Sequence, residues 1–252
     1  MKIQYCSDLH LEFLENKGFL ISDPLKPVGD ILLLAGDIVP FAVMEKHDDF
    51  FDYVSANFEK TFWIPGNHEY YRSDIRLRSG TFIEPIRDNV FLLNNSSIII
   101  DGIKLIFSTM WSKISPDNYF HIRKGMSDFH VIKRNHEAFV PNDFNQLHSE
   151  CFSFLEKEIR EPFEGKKMVV THHVPTLLNY PKKYKGDILN EAFALELYDY
   201  IEQTEVDYWL FGHHHHNLPP FTIGKTLMIT NQLGYVKYDE NEAFNSEMVI
   251  TI

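Results

Sequence analysis

Five short apolar runs in the chain are each followed by side chains that commonly bind metal ions. The runs cover residues 3–7, 31–36, 62–66, 168–171 and 208–212, and the polar residues after them are Asp8 and His10, Asp37, Asn67 and His68, His172, and His213 and His215. Each run has the length and the β-branched or aromatic content of a buried strand. Because ligands gather beyond the carboxyl ends of strands in open α/β sheets, we expect these distant residues to converge on one point.

The chemistry of this residue set favours a catalytic site with two metal ions. It contains Asp, Asn and His but no thiolate, which suits borderline-hard ions such as Mn, Fe or Zn better than a structural Cys-rich zinc site. Two ions held roughly 3.5–4 Å apart can clamp a phosphoryl group during in-line attack. A carboxylate is the natural bridge between two such ions, because its oxygens can serve both.

The motifs that carry these residues resemble those of the calcineurin-like metallophosphoesterases. Asp-Leu-His at 8–10, Gly-Asp at 36–37, Gly-Asn-His-Glu at 66–69, His172 and Gly-His-His-His at 212–215 occur in the family's order across most of the chain. The neighbouring segments 7–13, 65–71, 109–112, 126–129 and 231–235 narrow the resemblance. They are similar to a bacterial branch of largely uncharacterised phosphohydrolases related to the Icc-type cyclic-nucleotide phosphodiesterases.

The resemblance implies a fold and an activity. The fold is α/β, with two mixed β-sheets packed as a sandwich and helices on both outer faces. The activity is hydrolysis of a small phosphodiester or phosphomonoester by attack of a hydroxide that bridges two metal ions. The cofactors are two divalent or trivalent transition-metal ions, with Mn, Fe or Zn expected and Ni or Co as alternatives.

The resemblance also implies a role for each residue of the set. One ion would be bound by Asp8, His10 and His215, and the other by Asn67, His172 and His213. Asp37 would bridge the two ions. His68 would bind no metal, and would instead stabilise or protonate the leaving oxygen.

Composition agrees with a single domain that spans residues 1–252. The chain is 44% hydrophobic and carries 36 acidic against 24 basic side chains. Its longest uninterrupted apolar run, Ile31–Ala35, is far short of the roughly 20 residues of a membrane span. Met1 and Lys2 lead directly into a predicted strand and not into a signal peptide, so we expect a cytoplasmic protein. Cys6 and Cys151 are expected to be buried thiols in that compartment.

The net charge of −12 argues against tight nonspecific binding to nucleic acid. The balance reverses locally, since residues 110–136 carry five basic side chains and two acidic ones. Segment 110–140 is therefore either a phosphate-facing cap over the substrate or a solvated loop with ordinary surface charges. The partner is expected to be a small phosphorylated substrate, with nucleic acid and membranes disfavoured and the oligomeric state left open.

Strand and helix patterns alternate along the chain, as in α/β folds. Apolar residues at helical spacing predict helices over 41–57, 144–161 and 191–204. Strands are predicted over 90–93, 98–100 and 105–109, with a turn at Asp101-Gly102 between the last two. A hairpin is predicted around Gly224-Lys225, and residues 248–252 are expected to form a closing strand.

Several further residues have weaker interpretations. His173, His214 and His216 are expected to support the ligands or lie on the surface, and five histidines are expected to be ordinary surface residues, namely His47, His121, His130, His136 and His148. Trp111, Tyr70 and Tyr71 fit either a substrate pocket or the core. Protein Ser/Thr phosphatases carry an Asp-Arg-Gly stretch after their Gly-Asp motif. This chain has no arginine there, so phosphoprotein substrates are disfavoured.

Two alternatives to a small-molecule esterase stay open. The chain could be a non-catalytic metal-binding scaffold of the same fold, although a scaffold has no need of a leaving-group acid such as His68. A nuclease is the other alternative, and the acidic composition without an evident basic groove counts against it. The segment at 231–235 is Asn-Gln-Leu-Gly-Tyr in this chain, whereas the branch commonly carries an arginine there. The absence of that arginine weakens any substrate assignment carried over from the branch.

Overall fold

The computed structural model describes residues 1–252 and contains fourteen strands and seven α-helices. The strands are β1 (Lys2–Cys6), β2 (Ile31–Ala35), β3 (Lys60–Ile64), β4 (Phe82–Arg87), β5 (Val90–Asn94), β6 (Ser96–Ile100), β7 (Ile103–Ser108), β8 (Lys133–Arg134), β9 (Glu137–Ala138), β10 (Lys166–Thr171), β11 (Tyr208–Leu210), β12 (Phe221–Ile223), β13 (Thr226–Ile229) and β14 (Val249–Thr251). The helices are α1 (Leu14–Ser22), α2 (Asp48–Asn57), α3 (Tyr119–Gly125), α4 (Asp128–Val131), α5 (Pro141–Arg160), α6 (Asn190–Phe193) and α7 (Tyr198–Glu202).

Twelve of the strands form two mixed sheets of six. The first sheet has the order β14-β1-β2-β3-β5-β4, and the second has the order β12-β13-β11-β10-β7-β6. In each sheet the four central strands run parallel, and the two edge strands are antiparallel to their neighbours. The parallel strands place five carboxyl ends, those of β1, β2, β3, β10 and β11, where loops can build a shared site.

The two sheets pack face to face over an apolar core, and helices cover their outer faces. Alternation along β2 shows the arrangement, because Ile31, Leu33 and Ala35 join the core between the sheets. Leu32 and Leu34 point the other way and join the cluster that includes Phe51 and Val54 of α2. A strand buried on both faces reads as a continuous apolar run, as Ile31–Ala35 does. The α/β sandwich predicted from the resemblance is confirmed.

A further apolar cluster packs segment 110–140 against α5. It joins Trp111, Ile122, Phe129 and Phe139 of the segment to Phe144 of α5. The segment also contains α3, α4 and the two-stranded β8–β9 sheet. Most of its apolar side chains therefore pack in the interior, while Phe120, Lys113, Arg123, Lys124 and Lys133 are exposed.

Most of the predicted elements lie where the sequence placed them. The β6–β7 hairpin turns at Asp101-Gly102, the β12–β13 hairpin turns at Gly224-Lys225, and β14 pairs antiparallel with β1. Both cysteines are buried and free. None of the helices combines the length and apolar character that a membrane span requires.

Two predicted helices are wrong in part. Residues 41–47 form a 3₁₀ helix before α2 begins at Asp48. The pattern over 191–204 is interrupted at Ala194, which forms a bridge with Val174 and separates α6 from α7. Here a tertiary contact outweighs local helical periodicity.

The sequence patterns also missed six elements and misplaced two histidines. The missed elements are α1, the edge strand β4, which contains Pro85, and α3, α4, β8 and β9 of segment 110–140. Proline is tolerated on an edge strand because no ladder partner needs its missing N–H. His47 and His148 are buried at 7% exposure, which corrects the surface positions expected for them.

Candidate metal centre

The residues after β1, β2, β3, β10 and β11 meet at one edge of the sandwich, as predicted. Several of them have an unusual backbone: Asp8, His10, Asp37, His213 and His215 all adopt positive φ, between 46° and 77°. Non-glycine residues seldom occupy this left-handed region, although Asp and His tolerate it better than most. The chain turns sharply after β1, β2 and β11, and each turn directs a side chain toward the centre. Such conformations are found where the surrounding structure imposes them, often at functional sites.

The side chains form two groups that share one carboxylate. Asp8, His10, Asp37 and His215 make the first group, and Asp37, His172 and His213 make the second, with ligand atoms within 4.8 Å of one another in each group. Asp37 Oδ2 lies 3.8 Å from His10 Nε2, and Asp37 Oδ1 lies 3.4 Å from His172 Nε2. Each oxygen of Asp37 thus faces a different group, which is an arrangement that suits a carboxylate shared by two metal ions.

Within each group, imidazole nitrogens face one another at short distance. His10 Nε2 lies 3.0 Å from His215 Nε2, and His172 Nε2 lies 3.0 Å from His213 Nδ1. The remaining ring nitrogens are held from behind, since His172 Nδ1 donates to the Ala35 carbonyl and His215 Nδ1 is 2.7 Å from Glu240 Oε2. This outer contact orients the ring so that its other nitrogen points at the centre.

Asn67 provides a test of whether the site fits a metal ion. Its Oδ1 is buried and has no hydrogen-bond partner. Its Nδ2 donates to Asp128 Oδ1 at 2.9 Å, which directs the amide oxygen away from that carboxylate. Buried acceptors are rarely left without a partner. An amide oxygen held in this way, in the same cleft as Asp37, His213 and His215, fits a metal ion.

Three glycines allow the ligand loops to approach one another. A Cβ at Gly36 or Gly66 would overlap with the imidazole of His172, and Gly36 also has a φ of +90°. A Cβ at Gly212 would lie 2.6 Å from Asp8 Oδ2. The glycines that precede Asp37, Asn67 and His213 are therefore required by space, and Gly36 is required by conformation as well.

The mutual charges of the site shift the pKa values of its members. Burial opposes ionisation of Asp37, but the neighbouring histidines, His172 first, hold its pKa well below the usual value. Burial lowers the pKa of His172, yet the attraction and hydrogen bond of Asp37 outweigh it and raise the pKa to about 9. Hydrogen bonds with Asp8 and Glu240 likewise overcome burial and raise the pKa of His215 to about 10. The carboxylates of the site therefore favour positive charge at these two imidazoles.

His68 lies at the edge of the centre, and its ring makes no hydrogen bond to either oxygen of Asp37. Its Nδ1 is 3.1 Å from Glu12 Oε1, its Nε2 is 3.3 Å from the Tyr235 hydroxyl, and its ring stacks on Tyr71 at 4.0 Å between centroids. Burial lowers the pKa of His68, but Asp37 and Glu12 raise it above its ordinary value. Two histidines, His10 and His68, hold the pKa of Glu12 at about 2 despite its burial.

Glu69 shapes the loops without facing the centre. Its carboxylate accepts hydrogen bonds from the backbone N–H groups of Asp37, Ile38 and Gly66 and from Trp63 Nε1. It ties the loop after β2 to the loop after β3. The last residue of the Gly-Asn-His-Glu motif is thus a structural anchor.

A cleft of about 500 Å³ opens over the centre. It is lined by Phe13, Asp37, Asn67, His68, Tyr71, Gly125, Met126, Ser127, Tyr180, Tyr184, Asp187, Leu189, Asn190, Phe193, His213, His214, His215, Tyr235 and Glu240. Segment 110–140 contributes only residues 125–127 to this lining, and none of its five basic side chains is included. Its contribution to the cleft is small and uncharged.

The structure brings together all eight residues singled out in the sequence. Of the further aromatic candidates, Tyr71 lines the cleft, whereas Trp111 and Tyr70 belong to the core. His173 and His214 are buried beside the ligands, and His216 is exposed.

The sequence did not identify the partners of these residues. Glu12 and Asp128 lie in motifs that the sequence analysis recognised, but no role was predicted for them. The position of Glu12, two residues after His10, was the available sign that its carboxylate could contact the site. Glu240 had no signal, because its contact with His215 spans 25 positions of irregular chain.

A family model for calcineurin-like phosphoesterases matches residues 1–217. The chain therefore belongs to this family, which uses a dinuclear metal centre, and is a metal-dependent phosphoric ester hydrolase. The uncharacterised protein L509 of Acanthamoeba polyphaga mimivirus is 33% identical over 276 aligned positions, covering 99% of this chain and 96% of that protein. The solved structure of a phosphopantetheinyl hydrolase from Mycobacterium tuberculosis has the same fold, with a TM-score of 0.69 and 14% identity over 97% of this chain and 93% of that one.

Proposed function

We propose that this protein hydrolyses a small phosphate ester at a centre that binds two transition-metal ions. The observation that carries the proposal is the division of six side chains into two groups that share Asp37, whose two oxygens face opposite groups. One ion would be held by Asp8, His10 and His215. The other would be held by His172, His213 and the unpartnered Oδ1 of Asn67. Bound metal ions supply Lewis acidity toward the phosphoryl oxygens and lower the pKa of water.

His68 is the residue that we assign to proton transfer. Glu12 holds its Nδ1, so Nε2 is the nitrogen that faces the cleft beside the Tyr235 hydroxyl. During hydrolysis a bond forms between phosphorus and the oxygen of water while the bond to the leaving alcohol breaks. The leaving alkoxide takes a proton from Nε2, and the proton released by the attacking water restores the imidazolium.

The other assignments open from the sequence are less well supported by the geometry. A scaffold would not require His68 to be stacked on Tyr71 and held by a buried carboxylate of low pKa. A nuclease would need cations along a nucleic acid backbone, and the cleft lining contains neither Lys nor Arg. Mn, Fe and Zn remain the metals that this Asp, Asn and His set favours.

The test begins with metal content. Elemental analysis of the purified protein should find up to two transition-metal ions per chain, and chelation should abolish hydrolysis of nitrophenyl phosphate esters. Readdition of Mn, Fe or Zn should restore it. A protein without metal whose hydrolysis is indifferent to chelation would contradict the dinuclear centre.

The role of His68 is tested separately from metal binding. His68→Ala should keep its metal content while kcat falls on the order of 10²–10⁴-fold, the usual contribution of a positioned acid or base. The loss should be larger for alkyl esters than for nitrophenyl esters, because nitrophenolate leaves without a proton. The exposed His121→Ala is the matched control. Equal losses on both ester types would indicate electrostatic stabilisation and not proton transfer.

A further inference from the structure

The wall of the cleft beyond the metal centre is aromatic. Tyr180 and Tyr184 lie with ring centroids 6.4 Å apart and planes tilted by 56°. Both come from the 3₁₀-containing loop after β10, and both line the cleft with Tyr235, Phe193 and Phe13. Aromatic faces carry negative electrostatic potential, so a set of inclined rings offers a favourable surface to an organic cation.

The charges in the same wall have one sign. Outside the ligand set the cleft is lined by two carboxylates, Asp187 and Glu240, and by no Lys or Arg. The Glu240 carboxylate already pairs with His215 Nδ1. Asp187 is exposed and uses Oδ1 to accept from the Leu189 N–H, which leaves Oδ2 available to a ligand. An anionic substituent would therefore meet carboxylates in the lining, which contains no Lys or Arg.

The lysines nearby do not change this balance. Lys182, Lys183 and Lys185 belong to the same loop, but all three are exposed and none lines the cleft. Lys183 Nζ lies 4.6 Å from the centroid of the Tyr184 ring, so this ring already packs against an ammonium group. Lys46 and Arg72 line a different cavity, of about 310 Å³, which shares Phe13, His68 and Tyr71 with the cleft.

Resting on the proposed function, we propose that the substrate is a monoanionic phosphodiester whose retained substituent carries an ammonium group. The reacting phosphate would lie at the metal centre, and the cationic substituent would pack on Tyr180 and Tyr184 within reach of Asp187. The cleft volume of about 500 Å³ falls in the range of small-molecule sites, so it has room for such a substituent. A second phosphate on the substituent would be disfavoured by the lining carboxylates Asp187 and Glu240.

The test uses three substrates with the same leaving group. They are p-nitrophenyl phosphorylcholine, its uncharged isostere 3,3-dimethylbutyl p-nitrophenyl phosphate, and p-nitrophenyl phosphate, which has no substituent. The choline ester should have a KM about 3- to 10-fold lower than the isostere, the size of one cation–π contact. The monoester should have the highest KM of the three.

Two variants test whether side chains of the cleft wall cause the preference for the choline ester. Tyr184→Leu and Asp187→Asn should each reduce the KM advantage of the choline ester over its isostere, by roughly threefold or more for Tyr184 and up to about fivefold for Asp187. The exposed residues Tyr238 and Asp101 do not line the cleft, and Tyr238→Leu and Asp101→Asn should keep the advantage intact.

Binding without turnover provides the second measurement. Calorimetry with the choline ester of methylphosphonic acid and with its 3,3-dimethylbutyl counterpart should show the same preference in wild type and its loss in Tyr184→Leu. Hydrolysis of all three substrates with an equal or lower KM for the isostere or the monoester would overturn the ammonium preference and leave the esterase proposal standing. Absence of hydrolysis with selective binding of the choline phosphonate would contradict the esterase proposal and support the ammonium site. Equal binding of both phosphonates would overturn that site.

Discussion

A change at Asp128 tests whether the orientation of the Asn67 amide matters for metal binding, because Asn67 itself is kept. Asp128 is fully buried, and its Oδ1 accepts from Asn67 Nδ2 at 2.9 Å and from the Tyr71 hydroxyl at 2.7 Å. The other contact of Asn67 Nδ2 is with that hydroxyl at 3.4 Å. Asp128→Ala removes the acceptor and lets the amide rotate, so that Oδ1 no longer faces the second metal group.

The expected magnitude follows from the bond that is lost. A hydrogen bond to a charged group contributes about 1.5–3 kcal/mol, which corresponds to roughly 10- to 150-fold in a binding constant. Residues that orient metal ligands typically contribute 10- to 100-fold in metal affinity. We therefore expect Asp128→Ala to weaken one of two metal-binding steps by about 10- to 100-fold and to leave the other near wild type.

Asp128→Asn is the matched control, because its amide oxygen can still accept from both donors. Metal titration by calorimetry, checked by elemental analysis after dialysis, should place this variant within about threefold of wild type. If both variants titrate like wild type, Asp128 does not orient Asn67. If both lose the same affinity, the charge of Asp128 matters and the hydrogen bond does not.

Three further predictions concern the bridge, the loop anchor and the protons of the metal-free site. Asp37→Asn should lower occupancy of both metal positions and Asn67→Ala of one, and metal titrations showing an identical single-site loss would contradict the bridge. Glu69→Gln places an NH₂ group against an N–H donor and should lower the free energy of unfolding by about 1–3 kcal/mol, measured in urea. The pKa values of His172 and His215 are about 9 and 10, so both carry protons at pH 7 and must lose them to bind metal. Metal affinity should therefore rise with pH, and calorimetry in buffers of different ionisation enthalpy should show release of about two protons; no release would show that the rings are already neutral.

Much of the fold could be predicted because its information is local. The run Ile31–Ala35 indicates a strand buried on both faces, and Asp101-Gly102 and Gly224-Lys225 indicate hairpin turns, each from a few adjacent residues. The prediction failed where distant contacts decide. Ala194 lies within a helical pattern but pairs with Val174, and Pro85 lies in an edge strand that local propensity disfavours.

The candidate ligands could be found in the sequence because the topology of parallel strands brings their carboxyl ends to one edge. Asp8, Asp37 and Asn67 each follow such a strand directly, so residue type and position were sufficient to select them. The chemistry of metal binding thus has a signature that is read along the chain. The contacts of the two Asp37 oxygens with different groups have no such signature.

What surrounds the ligands was decided by tertiary structure alone. Glu240 reaches His215 from irregular chain, Asp128 reaches Asn67 across 61 positions, and Tyr184 and Asp187 meet the cleft from a loop with no recognisable pattern. These contacts depend on how loops pack over the sandwich. Their energies arise from burial and orientation, which the neighbouring residues in the sequence do not indicate. The sequence by itself therefore determined the class of chemistry, while the charge and shape that select a substrate exist only in the folded protein.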